Sequence, residues 1–303
     1  MKNQEDRVIK AIIYCLFAHL MFAAMGTCAK YLANHYHVAE IAFYRNSIIF
    51  IPFFLFIIIG QKYHLLKTNR PKLVGCRAIL GGASVIITFS ALAELPMSYA
   101  TVLFFTSTLL TPALAFFFLK EHVGIHRWGA VLVGMCGVLI IAQPSGEISL
   151  SGLFLALLAA GMHGIMYTTL RGLKTESPFT VTFYFILAGV FIPACFMPWV
   201  AKGIADEHIF IFMLTGAAAG IGQICLASAY KYAPASFVTP FAYTALLWTI
   251  LIDLHLWGYS LDFYYLLAGA GLIIGAQIYI IYREYVNAQR ARGKDDTPED
   301  KSS

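Results

Sequence analysis

Hydrophobic residues follow one another in long runs along this chain, and short polar stretches separate the runs. Ten runs are predicted to form membrane-spanning segments: 11–31, 41–59, 73–93, 97–119, 128–142, 152–170, 179–200, 209–229, 235–257 and 264–282. Most of them approach the roughly 20 mainly apolar residues that a helix needs to cross a bilayer. The pattern therefore predicts an all-α, polytopic membrane protein with ten transmembrane helices.

Composition and charge support this interpretation. The 303 residues are 59% hydrophobic and 12% charged, whereas about a quarter of the residues of a soluble protein are charged. If the N-terminus is cytoplasmic, 18 of the 21 Lys and Arg residues lie on the cytoplasmic side, and Lys30, Arg45 and Lys202 lie on the other. This asymmetry follows the positive-inside rule. It predicts an even number of crossings with both termini in the cytoplasm.

The two halves of the chain resemble each other. A shift of 141 residues aligns Met21 with Met162, Met25 with Met166, Thr27 with Thr168 and Pro52 with Pro193. A shift of 138 aligns Pro96 with Pro234, Ser98 with Ser236, Thr106 with Thr244 and Thr111 with Thr249. Because each half holds five spans, the halves enter the membrane in opposite directions. Such inverted repeats are typical of secondary transporters, which bind substrate between the halves near the midplane.

The repeat divides the chain into two predicted five-helix units, residues 1–142 and 151–286. Residues 287–303 are charged and polar, so they are predicted to form a disordered cytoplasmic tail. Gly216–Gly220 and Gly271–Gly275 have the GxxxG spacing that lets helices approach closely. These contacts are expected within one chain, and a homodimer stays an alternative.

Four stretches carry a resemblance to a known family: "EIAFYRN", "NRPKLVGCRAILGG", "TVLFFTSTLLTPALAFFFLKE" and "AYKYAPASFVTPFAYTALLW". Over nearly its whole length the chain resembles the drug/metabolite transporter superfamily, EamA type. Within it, the chain is most similar to bacterial S-adenosylmethionine uptake carriers, with riboflavin-type carriers next. The resemblance implies a secondary transporter of the bacterial inner membrane that moves a small polar metabolite by alternating access, with S-adenosylmethionine uptake as the leading hypothesis. Export of amino acids or other metabolites is the alternative.

Arg45 is a charged residue inside the second predicted span. A charge at the bilayer centre costs at least ~2.5–3.5 kcal/mol, so it should face protein, a watery cavity or the interface. Glu94 and Asp253 are predicted at similar depth, and the three are expected to form an outer charge cluster. The cluster would close the cavity or bind a zwitterion, with Arg45 on a carboxylate and Asp253 on an amine or sulfonium. A structural or snorkelled Arg45 is the alternative.

Three ring-bearing residues complete the predicted substrate site. The resemblance places Tyr243 and Trp248 beside the central cavity, where a ring can stack on a planar or cationic ligand. His163, on the sixth span, is predicted to line the same space, and a packing role is its alternative.

Other classes of protein lack their usual signals in this sequence. There is no GxxxxGK[ST], HExxH or GxSxG motif, so nucleotide-driven transport and common hydrolase chemistry are not indicated. The six cysteines show no CxxC spacing, and no cofactor or metal is expected. The basic residues form no face with interleaved aromatics, so nucleic acid is not an expected partner. A channel and a membrane enzyme remain weaker alternatives.

Overall fold

The computed structural model describes residues 2–119, 125–142, 149–173, 175–232, 239–259 and 262–295. Within these ranges lie ten helices of 12 or more residues: α1 Lys2–Ala33, α2 Val38–Ile59, α3 Pro71–Glu94, α4 Met97–Leu119, α5 Ile125–Ala142, α6 Leu150–Gly172, α7 Pro178–Ala194, α8 Asp206–Tyr232, α9 Thr244–His255 and α10 Phe263–Asp295. A single helical turn, Met197–Val200, follows α7, and 3-10 turns occupy Tyr63–Leu66 and Thr239–Tyr243.

Each of the ten predicted apolar runs coincides with one of these helices. Six of them, α1, α2, α3, α6, α8 and α10, are long and apolar enough to cross a membrane, and α5, α7 and α9 contain shorter apolar stretches. The prediction of an all-helical, polytopic membrane protein is thereby confirmed for the described residues. A bilayer offers the backbone no hydrogen-bond partner, which is why apolar runs of this length form helices.

Three boundaries differ from those predicted. The run 179–200 breaks after Ala194, one residue beyond Pro193, and resumes as the turn at 197–200. The run 235–257 begins in the described residues as a 3-10 turn and becomes α-helical only at Thr244. At the C-terminus, α10 continues to Asp295, so the prediction of disorder from residue 287 is wrong for 287–295. Residues 296–303 lie outside the described residues.

The principal helix contacts join one half of the chain to the other. Helix α1 packs against α8, and α3 packs against α6. Contacts near both ends show that each pair is antiparallel: Tyr14 with Tyr232 and Tyr36 with His208 for α1 and α8, Leu73 with Gly172 and Leu95 with Gly152 for α3 and α6. Both contacts are extensive, and each joins the two halves of the chain.

Three further pairs join helices that occupy the same place in the two halves. They are α2 with α7, α4 with α9 and α5 with α10. Contacts at two levels again show antiparallel packing: Asn46 with Gly189 and Phe53 with Phe179, Ser98 with Asp253 and Phe105 with Tyr243, Gly137 with Gly269 and His126 with Tyr279. Equivalent helices of the two halves therefore run in opposite directions.

The bundle has two recognisable ends. At one end, which we call the junction end, the α3–α4 connection meets the C-terminus of α1. At the same end Lys202, in the α7–α8 connection, donates its backbone N–H to Glu40 Oε2 on α2. At the opposite end the α2–α3 and α6–α7 connections meet, where Asn69 N donates to Glu176 Oε1 at 3.0 Å.

Of the two glycine pairs predicted to allow close helix packing, the structure shows a close contact at only one. Gly216 on α8 faces α2, since a Cβ there would lie 2.6 Å from Ile48 Cβ. Around Gly271 and Gly275, in contrast, no described atom lies within 4 Å of such a Cβ. The tightest packing of α10 is at Gly269, whose carbonyl oxygen would lie 2.7 Å from a Cβ on Gly137. A homodimer stays a prediction.

Candidate functional site

A break between α3 and α4 at the junction end leaves backbone polar groups without partners from their own helices. Leu95 precedes Pro96, and a residue before proline is disfavoured in the helical conformation. Leu95 is accordingly extended, with φ −114° and ψ 153°, and it separates α3 from α4. The break leaves carbonyl groups at the C-terminus of α3 and N–H groups at the N-terminus of α4 without partners from their own helices.

Asp253 supplies the acceptor for the N-terminus of α4. It projects from α9 with 0% of its surface exposed. Its carboxylate accepts hydrogen bonds from Met97 N at 3.0 Å, Ser98 N at 2.7 Å and Ser98 Oγ at 2.6 Å. A negative charge is favoured at a helix N-terminus, where the peptide dipoles leave partial positive charge. Asp253 therefore caps α4 from another helix.

Lys30 supplies the donor for the C-terminus of α3. It is 4% exposed, and its Nζ donates to Leu92 O at 2.9 Å and also to Leu95 O. The same Nζ lies 5.6 Å from the ring centroid of Trp257 and 5.2 Å from that of Tyr259. Burial, followed by the charge of Asp253, raises the pKa of the Tyr259 phenol, so the ring is a neutral partner for the cation.

We call Lys30, Asp253 and their partners Leu92, Leu95, Met97, Ser98, Trp257 and Tyr259 the junction cluster. In it a cation lies at the negative end of one helix dipole and an anion at the positive end of the next. The charge pattern along the sequence places Lys30 only on the non-cytoplasmic side and does not predict this contact. The available signal was Pro96, whose effect on Leu95 opens the backbone.

Arg45 lies elsewhere and has a different kind of environment. Its side chain is 6% exposed, so it does not snorkel to the surface. Nη1 donates to Asn46 Oδ1 at 2.7 Å, and Nη2 lies 3.6 Å from Met25 Sδ. Within the part of the chain that the structure describes, Nε has no hydrogen-bond partner and no carboxylate forms an ion pair with the guanidinium.

Asn46 is itself held firmly, which fixes the direction of its oxygen. Its Nδ2 donates to Ala42 O and to Gly189 O, both at 2.8 Å. Since Gly189 lies on α7, the amide links the two halves of the chain and presents Oδ1 to Arg45. The arginine is thus oriented by neutral groups that leave its charge uncompensated.

The predicted outer cluster of Arg45, Glu94 and Asp253 does not form. Glu94 is exposed and accepts hydrogen bonds from Ser149 Oγ at 2.8 Å and from Ser151 Oγ. Asp253 is occupied by α4, as described above. Depth along a helix was inferred correctly enough to place Glu94 and Asp253 at one end, but each residue faces a different neighbour.

Tyr243 belongs to a polar link between three helices. Its hydroxyl donates to Gln277 Oε1 on α10, and Gln277 Nε2 donates to Phe105 O on α4 at 2.6 Å. The Tyr243 ring lies 5.2 Å from the ring of Phe105 and almost perpendicular to it. Gln277, 5% exposed, was missed from sequence, although a glutamine within an apolar run is a usable signal.

His163 and Trp248 are half-buried and have fewer polar contacts. The His163 ring lies edge-on to Phe104 at 6.1 Å, so His163 and Tyr243 adjoin consecutive residues of α4 from different helices. Trp248 Nε1 is buried with no hydrogen-bond partner among the described residues. The five predicted site residues therefore lie in several local groups, and none of the contacts of Arg45 in the described residues joins it to the other four.

No arrangement suited to a metal ion is found within the described ranges, where no three His, Cys, Asp or Glu side chains come together. What the geometry provides instead is a helical bundle with unpaired donors on Arg45 and Trp248 and aromatic rings around α4 and α9. Such groups can bind a polar organic molecule by hydrogen bonds and stacking.

Comparison with known proteins gives a consistent result. The profile described as the EamA-like transporter family matches residues 9–143 and again residues 150–282. An S-adenosylmethionine uptake transporter of Rickettsia bellii (strain RML369-C) is 28% identical, over 86% of this chain and 90% of its own. A riboflavin transporter of Rhizobium johnstonii is 27% identical over 93% and 94%, and a pseudopaline exporter of Pseudomonas aeruginosa 23% identical over 77% and 82%.

A solved structure shares the fold. That crystal structure superposes with a TM-score of 0.58 and covers 92% of this chain and 96% of its own. The two sequences are 16% identical, so the likeness concerns architecture alone.

Proposed function

Because the chain belongs to the EamA-like transporter family, we propose that it is a secondary transporter that moves a small polar metabolite across the bacterial inner membrane by alternating access. S-adenosylmethionine entering the cell is the leading substrate. Support for this cargo comes from the Rickettsia relative, which is similar over most of both chains. The chain is a transporter rather than an enzyme, in keeping with the family and the named relatives.

The proposed architecture is ten crossings in a 5+5 inverted repeat. It is supported by the two family matches, one in each half, and by the antiparallel packing of α2 with α7, α4 with α9 and α5 with α10. Exchanging the halves also converts the α1–α8 contact into the α6–α3 contact, and both are extensive. The bias of Lys and Arg then orients the junction end toward the outside.

The observation that carries the proposal is the buried guanidinium of Arg45. An ion removed from water loses several kcal/mol of solvation, which an oppositely charged partner normally offsets. Asn46 and Met25 are neutral, so they supply only part of this compensation. A substrate carboxylate would complete it, and the planar guanidinium can bind both carboxylate oxygens.

The other proposed contacts differ in how much the geometry supports them. Trp248 has a free indole donor, and its ring suits stacking on a planar group or a sulfonium. Tyr243 offers its ring, because its hydroxyl is bound to Gln277. His163 is proposed as a lining residue beside Phe104. Asp253 already accepts three hydrogen bonds, which favours a structural role, and its predicted contact with substrate stays a prediction.

The test is uptake of labelled S-adenosylmethionine into proteoliposomes that contain the full chain. We expect saturable uptake that unlabelled S-adenosylmethionine competes away. Arg45→Gln should lower kcat/KM by about tenfold to a hundredfold, because a hydrogen bond to a charged group contributes ~1.5–3 kcal/mol. Lys202→Gln is the matched control, since Lys202 is exposed at the same end. Uptake by Arg45→Gln at the wild-type rate would contradict the role of Arg45.

Export is the second candidate, favoured by the similarity to the pseudopaline exporter. Inside-out vesicles distinguish export from uptake when labelled amino acids and S-adenosylmethionine are added to the external medium, which the cytoplasmic face of the membrane then contacts. Accumulation of an amino acid against its gradient, without movement of S-adenosylmethionine, would replace the first proposal by the second.

A further inference from the structure

A second arginine inside the bundle has two nitrogens without a hydrogen-bond partner among the described residues, and it has no role in the proposed site. Arg77 lies on α3, six residues from its start at the end opposite the junction. Its Nε and Nη1 atoms are buried, and no described residue accepts a hydrogen bond from either. By the argument applied to Arg45, such a guanidinium calls for an acceptor that carries negative charge.

The surroundings of Arg77 fix one face of the guanidinium and leave its edge available. Cζ lies 5.5 Å from the centre of the Phe185 ring on α7, within the range of a cation–π contact. The ring fits there because residue 81 is glycine: a Cβ at Gly81 would lie 2.4 Å from Phe185 Cδ2 and 3.4 Å from Met166 Cε. A cation–π contact supplies no hydrogen-bond acceptor, so Nε and Nη1 stay without one among the described residues.

Arg77 and Asn46, the residue that orients Arg45, contact α7 at positions four residues apart. Asn46, which orients Arg45, donates to Gly189 O, and Gly189 follows Phe185 by four residues on α7. Four residues correspond to a rise of about 6 Å. Asn46 contacts α7 from α2 on the junction side, and Arg77 contacts it from α3 on the opposite side.

We propose that Arg77 is a second anion-binding residue, which receives the substrate carboxylate from Arg45 on the side of the bundle opposite the junction. The inference rests on the proposed function and adds a second binding position for the substrate carboxylate. A lipid phosphate is the competing ligand with the same charge. The substrate is favoured because Nε and Nη1 are buried, with the Phe185 ring of α7 beside the guanidinium, rather than lying at a surface that lipid covers.

The first test compares S-adenosylmethionine with its decarboxylated analogue in proteoliposomes. Arg77→Gln should raise the KM for S-adenosylmethionine about tenfold, which corresponds to ~1.4 kcal/mol, and should leave the KM for the analogue unchanged. Arg70→Gln is the control, because Arg70 is exposed at the same end and its side chain donates only to Gly172 O in the described contacts. Equal changes for both compounds, or no change, would overturn the proposal.

The lipid alternative is decided in the same assay. We expect the effect of Arg77→Gln in liposomes of phosphatidylcholine alone to equal that in liposomes containing phosphatidylglycerol. An effect that appears only with phosphatidylglycerol would show that Arg77 binds a lipid headgroup, and it would overturn the proposal that Arg77 binds the substrate.

A second measurement does not depend on transport, so it separates failure of this inference from failure of the proposed function. Purified full-length protein is treated with phenylglyoxal, which modifies arginine, and the peptides containing Arg77 and Arg70 are quantified by mass spectrometry. Methionine or succinate should slow modification of Arg77 and not of Arg70. Unprotected modification of Arg77, or none under any condition, would overturn the anion site even if uptake is observed.

Discussion

The junction cluster and the environment of Arg45 both contain buried charges, but the charges differ in how many polar partners they have. Lys30 and Asp253 are 4% and 0% exposed, and Arg45 is 6% exposed. Asp253 accepts three hydrogen bonds and Lys30 donates to two carbonyls. Arg45 has a neutral amide, a thioether and an unpaired Nε. Burial alone therefore does not separate the two groups, whereas the number of polar partners of each charge does.

The difference has its origin in the backbone. Where Pro96 breaks the chain, the free ends of α3 and α4 offer carbonyl and N–H groups that suit a cation and an anion. Arg45 lies within the continuous helix α2, whose neighbouring backbone groups are already bonded to one another. Its complement has to come from a side chain or from a ligand.

Asp253→Ala is expected to have the largest effect on folding. It removes three hydrogen bonds to a buried carboxylate and leaves the buried donors Met97 N and Ser98 N without their charged acceptor, a loss of about 3–5 kcal/mol. We expect a correspondingly lower free energy of unfolding in mixed detergent micelles and little folded protein in the membrane. Asp253→Asn, which keeps an acceptor, should lose less.

The transport rate of the remaining folded Asp253→Ala protein tests the comparison itself. A structural residue should leave the rate per folded molecule close to that of the wild type. Normal folding together with lost S-adenosylmethionine uptake would instead identify Asp253 as a substrate contact, as the sequence predicts.

Lys30→Met should have the next largest effect. It removes the charged hydrogen bonds to Leu92 O and Leu95 O but also the desolvation cost of the buried ammonium group, so we expect a net loss of about one charged hydrogen bond, ~1.5–3 kcal/mol. The free energy of unfolding should fall by about that amount, while Lys202→Met, on an exposed side chain of the same end, should change it little. If Lys30 and Asp253 act together, the double variant Lys30→Met/Asp253→Asn should lose less than the two single losses added.

The helices were predictable because their signal is local. Apolar runs in lipid form helices wherever they occur, so each of the ten runs coincides with one. The ends were less predictable: α7 stops at Ala194 beside Pro193, and α9 starts only at Thr244, because turn geometry and tertiary contacts decide the last few residues. The helical continuation of α10 to Asp295 likewise exceeds the length of the apolar run.

The site was less predictable because sequence gives depth along a helix and not the neighbour that a side chain faces. Glu94 and Asp253 do lie at the junction end, yet Glu94 faces Ser149 and Ser151 while Asp253 faces α4. Gln277 was missed for the same reason, since its importance depends on the approach of Tyr243. Knowing which helices adjoin requires the packed structure.

Tyr243→Phe tests whether the hydrogen-bonded hydroxyl of Tyr243 has a structural role, like the charges of the junction cluster, or a role in transport. The change removes the hydroxyl that donates to Gln277 Oε1 and leaves the ring in place. We expect the free energy of unfolding to fall by ~0.5–1.5 kcal/mol, the usual contribution of a neutral hydrogen bond. Uptake per folded molecule should be unchanged if the substrate meets only the ring. Tyr243→Leu, which removes the ring as well, should reduce uptake; if the Phe variant loses uptake to the same extent, the hydroxyl is the contact.

Arg45→Gln should change the free energy of unfolding least of all, although its uptake is expected to fall strongly. Removing a buried charge that lacks an acid partner relieves a desolvation penalty while sacrificing the bond to Asn46 Oδ1, so the two effects offset each other. The free energy of unfolding in mixed detergent micelles should therefore stay within about 0.5 kcal/mol of the wild type or rise, as for substitutions away from completed networks. Asn46→Ala is the matched comparison, because it removes the amide that bonds Ala42 O and Gly189 O and should destabilise the bundle. If Arg45→Gln destabilised it as much as Lys30→Met, the guanidinium would have a structural partner, and the contrast between a complete and an incomplete charge would be lost.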